Sequence, residues 1–295
     1  MKNIPKVKRA VFPVAGFGTR FLPATKSQPK EMLPIVDKPV IHYLVEEAVA
    51  SGIEEIIIIT GRGKRSIEDY FDTSFELEHN LVQKEKHELL EAVMEIPKLA
   101  KFIYARQPVP LGDGHAILQV YEFLKGEPFA VMFGDDLVKS EVPALRQLLD
   151  VYEQTGQSVI GLTEVPDSDL SQYGVVGVKE QEKSVVEIGE FVEKPKSKSE
   201  APSNFGVIGK YVVTPDVLES LYEQSKNSVE DEIRLADGFR SALSEGGRLF
   251  GKIIDGKRFD TGSKIGFMKA TVDYALERSE FSDEFRKYLA EIIKG

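Results

Sequence analysis

Three features of this 295-residue chain predict an α/β fold, with a mixed, mostly parallel sheet flanked by helices and an antiparallel addition. Apolar runs such as Ile56-Ile57-Ile58-Ile59 and Phe129-Ala130-Val131-Met132-Phe133 alternate with stretches of helical periodicity, the pattern of buried parallel strands and crossover helices. Beyond residue 170 the rhythm changes to closely spaced strand-like segments, near Val175 to Lys179 and Val185 to Phe191, which read as an antiparallel hairpin. The first apolar run, Ala10 to Ala15, ends on Gly16 and Gly18, a sharp exit from a buried strand into a loop.

The remaining elements follow in order. Pro39 stands where a first helical residue should, and Ile41, Leu44, Val45 and Ala48 then share one face until Gly52 stops the helix. A polar helix is expected from about Glu76 to Glu95, a strand from Phe102 to Ala105, and a helix after Gly114 that leads to the strand at Phe129. A helix over about Val142 to Gln154 precedes a strand at Ser158 to Leu162. After the hairpin come a strand at Phe205 to Val213, two helical segments, a strand at Leu249 to Ile254 and a long helix from about Ile265. The run Lys194 to Ser203 reads as a surface loop between strands, not as a linker between domains.

Composition narrows the function. A net charge of -10 argues against nucleic acid or an anionic membrane surface as the main partner. Without cysteine there can be no disulfide and no thiolate metal site, which suits a reducing cytoplasm. The four histidines (His42, His79, His87 and His115) lack zinc-ligand spacing. No segment has the roughly 20 apolar residues that span a bilayer. The basic N-terminus, Met1-Lys2-Asn3-Ile4-Pro5-Lys6, precedes an apolar run that is short and holds Pro13, which argues against a signal peptide.

The chemistry concentrates in residues 14–34, where Gly16 and Gly18 are followed by Arg20, Lys26 and Lys30 in a segment punctuated by Pro23, Pro29 and Pro34. Glycines let backbone N–H groups approach an anion, and the cations offset phosphate charge, so the segment reads as a triphosphate cradle. It is not a Walker A loop, which needs four residues between its glycine and Gly-Lys-Ser/Thr. The dinucleotide fingerprint also fails, because Phe21 replaces its third glycine and Pro23 interrupts its helix. Taken alone, Gly-x-Gly is equally a tight turn. Asp135 and Asp136 follow Gly134 at the end of an apolar strand, where open α/β sheets place ligands, and both are also natural turn residues. Likewise Asp260-Thr261-Gly262 alone reads as a turn or cap before a helix.

The full run Gly16-Phe17-Gly18-Thr19-Arg20-Phe21-Leu22-Pro23-Ala24-Thr25-Lys26 with Pro29-Lys30-Glu31-Met32-Leu33-Pro34 resembles the bacterial UTP–glucose-1-phosphate uridylyltransferases, within the sugar-phosphate nucleotidyltransferases. The resemblance continues through Phe71 to Glu78, Gly134-Asp135-Asp136, Val192-Glu193-Lys194-Pro195 and Ala201-Pro202-Ser203-Asn204, nearly the whole chain. It implies a Rossmann-like nucleotidyltransferase fold in a single domain: roughly 1–165 for nucleotide, 166–262 for sugar phosphate, and a C-terminal helix over 263–295. It implies the reaction of UTP with glucose 1-phosphate to give UDP-glucose and pyrophosphate, with Mg²⁺ as cofactor and a homodimer or homotetramer as the usual assembly.

Residue roles carried over from the resemblance are specific. Arg20 would meet the β- and γ-phosphates and Lys30 the α-phosphate, while Lys26 is equally a solvated loop lysine. Asp135, directly after the glycine, and Asp260 would hold Mg²⁺, a hard cation that favours oxygen ligands. Ala15, Gly16 and Gly18 would offer backbone to the nucleotide, Gly112 would close over the base, and the Gln107 amide would read uracil through its donor and acceptor. Gly174, Glu193, Lys194, Asn204 and Val207 would bind the sugar phosphate.

Three stretches depart from the family pattern. Asp113 interrupts a Gly-Leu-Gly-His-Ala motif, Glu232 to Asp237 reads Glu-Ile-Arg-Leu-Ala-Asp in place of Glu-Ile-Gln-Leu-Thr-Asp, and Gln28 replaces an apolar residue. Asp113 would either weaken UTP binding or point to solvent. Two alternatives stay open: the same chemistry with another nucleotide such as dTTP or another hexose 1-phosphate, and a catalytically weak regulatory relative that binds nucleotide sugar. One methyl group separates uracil from thymine, and a pocket discriminates that by only about 1–3 kcal/mol.

Overall fold

The computed structural model describes residues 4–226 and 232–294, so Met1, Lys2 and Asn3 of the basic N-terminus lie outside the described residues. Its strands are β1 (Arg9–Pro13), β2 (Pro34–Ile35), β3 (Lys38–Pro39), β4 (Glu55–Thr60), β5 (Lys101–Arg106), β6 (Phe129–Met132) and β7 (Asp136–Lys139). They continue with β8 (Val159–Glu164), β9 (Gly174–Glu182), β10 (Val185–Glu193), β11 (Phe205–Val213), β12 (Leu249–Ile253) and β13 (Lys257–Asp260).

One sheet runs in the order β5-β4-β1-β6-β11-β8-β12-β10-β9. The four strands from β5 to β6 are mutually parallel. β11 enters antiparallel to both β6 and β8, β8 and β12 are parallel, and β12, β10 and β9 alternate in direction. The antiparallel part therefore begins at the centre of the sheet.

The strand sequences follow from burial on both faces. In β4, Ile56 and Ile58 pack into one core with Ala10 and Phe12 of β1, while Ile57 and Ile59 pack into the other with Val11. All four isoleucines are fully buried, so a period of two feeds two cores and leaves no polar face. Helices cover both sides, among them Val40–Ala50 and Ala144–Thr155 on the first core and Pro215–Ser225 and Leu235–Ser244 on the second.

Several boundaries differ from expectation, each for a local reason. Pro39 caps the first helix instead of opening it, and Val40 is its first residue. The expected helix over 76–95 is two, Phe75–Gln83 and His87–Glu95, because Gln83 to Lys86 offers no apolar face and Glu85 turns at φ 54°. The C-terminal helix is likewise divided into Lys264–Ala275 and Ser282–Lys294. The antiparallel pair β7–β13, which sets Asp136 opposite Asp260, was not legible in either short segment. No described helix is long and apolar enough to cross a membrane.

Candidate active site

The chain leaves β1 at Pro13, and the Val14 N–H still bonds to the Ile59 carbonyl of the neighbouring strand at 3.0 Å. It then forms three short 3₁₀ turns, Thr19–Phe21, Ala24–Lys26 and Lys30–Met32, since the prolines prevent a continuous helix. Gly18 sits at φ 65°, a left-handed conformation that favours glycine, and its carbonyl accepts from Thr25 Oγ1 at 2.7 Å. Gly16 is exposed, Ala15 half-buried and Lys26 exposed. The turns return Lys30 beneath the ends of the parallel strands.

There Lys30 Nζ lies 2.5 Å from Asp135 Oδ2. Burial works against the Lys30 charge, but Asp135 and Glu31 outweigh it and hold its pKa above the usual lysine value. Burial works against the Asp135 charge too, and Lys30, Arg20 and Arg258 nonetheless keep its pKa below the usual range. Arg20 is exposed on the same rim, with Nη1 3.5 Å from the Gly262 carbonyl.

Asp260 joins Asp135 across a narrow space. A Cβ placed on Gly262 would fall 2.4 Å from Asp135 Oδ2 and 3.0 Å from Asp260 Oδ1, so both carboxylate oxygens face the volume that this glycine leaves open. The Thr261 N–H and hydroxyl both donate to the Asp135 carbonyl, at 2.8 and 2.9 Å, fixing the two segments together. Burial and the facing Asp135 raise the pKa of Asp260. Ser263, not Asp260, caps the helix that follows by accepting from Gly266 N, while Asp260 Oδ1 accepts from the Gly262 N–H at 3.0 Å. Two half-buried carboxylates converging on one gap, the second raised by the first, fit a divalent cation that takes its other ligands from phosphate and water. No group of three or more His, Cys, Asp or Glu side chains placed to hold a metal occurs among the described residues.

Asp136 has a different fate. Its carboxylate is gripped by Arg258 through Nε and Nη2 at 2.7 and 2.9 Å, and it accepts from the Gly209 N–H at 2.7 Å. Only 5% of Asp136 is exposed. The adjacent aspartates thus differ in partner, and Asp136 is engaged by an arginine 122 positions away.

The sugar-side residues come together through strand register. Gly174 is paired directly with Glu193 across the β9–β10 hairpin. Lys194 follows in the left-handed region at φ 48°, bonds its N–H to the Tyr173 carbonyl, and keeps its side chain exposed without an ion pair among the described residues. Gly206 of β11 pairs with Val175, bringing exposed Asn204 and half-buried Val207 to the same edge. Arg258 Nη1 donates to the Tyr173 hydroxyl at 2.9 Å and so ties this edge to Asp136.

Gln107 is buried, and its amide nitrogen donates to the Gly112 carbonyl and to His115 Nδ1, each at 2.9 Å. The donor half of the amide is thus engaged within the protein. Gly112 is at φ 98°, and a Cβ there would meet the Ile233 carbonyl oxygen at 2.2 Å, so only glycine fits. Asp113 points neither to solvent nor at a phosphate cradle: Oδ1 accepts from Leu235 N at 2.7 Å, at the start of the helix Leu235–Ser244. Burial pushes its carboxyl up to about 6. A second departure, Arg234, sits beside it and donates to Glu193 Oε1 at 2.8 Å.

Sequence reasoning missed Arg258 and the pair Glu31–Lys64, whose Nζ–Oε2 distance is 2.7 Å with both side chains buried. Burial lowers the pKa of Lys64. Glu31 lay inside the conspicuous motif, but no local signal marks Lys64 or Arg258, since each gains its meaning from a distant carboxylate.

The family described as Nucleotidyl transferase matches residues 10–277. A protein of Staphylococcus epidermidis named UTP–glucose-1-phosphate uridylyltransferase is 48% identical over 287 residues, covering 97% of this chain and 99% of that protein. A solved structure of UTP-bound UGPase from Acinetobacter baumannii superposes with a TM-score of 0.87 at 39% identity, over 97% of this chain and 99% of that one. A UDP-glucose pyrophosphorylase complexed with UDP-glucose gives 0.82 at 41% identity, over 92% and 100%.

Proposed function

The chain belongs to the nucleotidyl transferase family, and on that premise we propose that it transfers the uridylyl group of UTP to glucose 1-phosphate, forming UDP-glucose and pyrophosphate. The observation that carries the reading is the convergence of Lys30, Asp135 and Asp260 at the strand ends, between a glycine loop and the Gly174–Glu193 edge. A phosphate oxygen of glucose 1-phosphate attacks the α-phosphorus of UTP, a new P–O bond forms, and the bond to the pyrophosphate oxygen breaks. That nucleophile is anionic at neutral pH, so no general base is required. The barrier lies in bringing two polyanions together and supporting the charge on the departing oxygen, which position and electrostatics supply.

Lys30 places its ammonium beside the α-phosphate, and Arg20 on the rim neutralises the leaving pyrophosphate. Ala15, Gly16 and Gly18 present backbone to the nucleotide, Gly112 lets the loop close over the base, and the Gln107 carbonyl accepts from uracil N3–H. Gly174, Glu193, Asn204 and Val207 line the glucose side, with Lys194 for its phosphate. Asp135 and Asp260 would hold Mg²⁺, which supplies Lewis acidity and a template for the two phosphates. The continuous sheet favours one catalytic unit, with residues 1–165 serving nucleotide, 166–262 sugar phosphate and 263–295 the C-terminal helical part. A cytoplasmic setting and a homo-oligomer, dimer or tetramer, complete the reading, with the lack of cysteine supporting the first.

Pyrophosphate release by the purified protein with Mg²⁺ tests this, using UTP, dTTP, CTP, ATP and GTP in turn with glucose 1-phosphate and then with other sugar phosphates. The expected result is release led by UTP with glucose 1-phosphate. Release led by another pair would replace the substrates, and none at all from protein that binds UDP-glucose would replace enzyme with regulator.

A further inference from the structure

We propose that Arg234 is a positioning residue of the sugar site: with Asp113 behind it, it pins one oxygen of Glu193 so that the other faces the substrate. The inference rests on the sugar-site reading given above. Glu193 Oε1 accepts from Arg234 Nη1 at 2.8 Å, whereas Oε2 lies toward Gly174, 3.1 Å from where a Cβ on that glycine would stand. A free carboxylate rotates between equivalent oxygens; one held by a charge-assisted bond presents a fixed acceptor. Both side chains are about a quarter to a third exposed, which keeps the bond stronger than a surface pair.

Arg234 is itself held. Its Nη2 donates to Glu232 Oε2 at 2.6 Å and its N–H to Asp237 Oδ2 at 2.8 Å. The next residue, Leu235, donates its N–H to Asp113, whose charge also attracts the guanidinium. Ile233 exchanges backbone bonds with the nucleotide-side loop, from its N–H to the Leu111 carbonyl and from the His115 N–H to its own carbonyl. Residues 232–237 are therefore a strap fastened to residues 111–115 at one side and reaching Glu193 through a single guanidinium. Arg234 acts on the sugar only through Glu193, so its loss should affect sugar binding before nucleotide binding or turnover.

Steady-state kinetics with UTP, glucose 1-phosphate and Mg²⁺ decide the matter, on the full chain with thermal unfolding as a control. Arg234→Gln should raise the KM for glucose 1-phosphate about tenfold while the UTP KM and kcat stay within about twofold. Arg234→Lys should recover most of the loss, because it keeps a charged donor. Glu193→Ala should raise the same KM at least as much, and the double variant Arg234→Gln/Glu193→Ala should be no worse than Glu193→Ala alone. If Glu193→Ala leaves that KM unchanged, the sugar-site reading falls and this proposal with it. If Glu193→Ala raises it but Arg234→Gln does not, or if the two effects add, only the proposal falls. Equal changes in both KM values, or a lowered melting temperature alone, would make Arg234 merely structural.

Discussion

Around Asp135 the charged groups are brought together by contacts between residues more than a hundred positions apart, Lys30 at 105 and Thr261 at 126. Around Glu193 the arrangement comes from hairpin register, with Gly174 opposite it, and from one arginine of the 232–237 strap. The first region is rich in opposed charge, which suits work on phosphates. The second is an edge whose acceptor depends on a single partner, which suits recognition of hydroxyls. The contrast teaches that long-range contacts assemble the charged cluster, whereas hairpin register sets Gly174 against Glu193.

The sharpest way to break the comparison is Asp135→Ala. Losing one preorganised charge partner of this kind costs about 3–4 kcal/mol in the barrier, so turnover should fall by about two to three orders of magnitude with the circular dichroism unchanged. Near-normal turnover would remove Asp135 from the metal site. Asp136→Ala should act in the other currency: it strands the Arg258 guanidinium, whose side chain is 19% exposed, and should cost about 3 kcal/mol of stability, read as a lower denaturation midpoint. A variant as stable as the parent would show that Arg258 finds another partner.

The two regions should also separate kinetically. Gln107→Ala is expected to raise the UTP KM about tenfold, more than the glucose 1-phosphate KM, and Gly174→Ala to do the reverse, since its methyl would press on Phe191 and Glu193 at 3.0 and 3.1 Å. Equal effects on both substrates in either variant would erase the division. The smallest effect concerns Asp113. Burial holds its carboxyl up to about 6, above its unfolded value, so the native state binds the proton more tightly. Its contribution to stability is then present at low pH and lost as pH rises from about 4 to about 6. Asp113→Asn should therefore gain in melting temperature over the parent on going from about pH 4.5 to about pH 7. An unchanged difference would mean that Asp113 is not strained by burial.

The sequence by itself determined the strands, the glycine loop and the composition of the site. Ile56 to Ile59 could only be a strand buried on both faces, because alternating side chains leave no room for solvent on either side. Gly16, Gly18 and the prolines after them likewise set the sharp exit from the first strand and its broken turns, since proline and glycine act locally on the backbone. Only the tertiary structure gave Asp135 and Asp136 different partners, since they share a neighbourhood in sequence and differ in which of Lys30 and Arg258 reaches them. It also turned Asp113 and Arg234, two unrelated departures along the chain, into neighbours behind Glu193. Local pattern dictates backbone shape, whereas the role of a charge depends on the partner that folding carries to it, and that partner lies far along the chain.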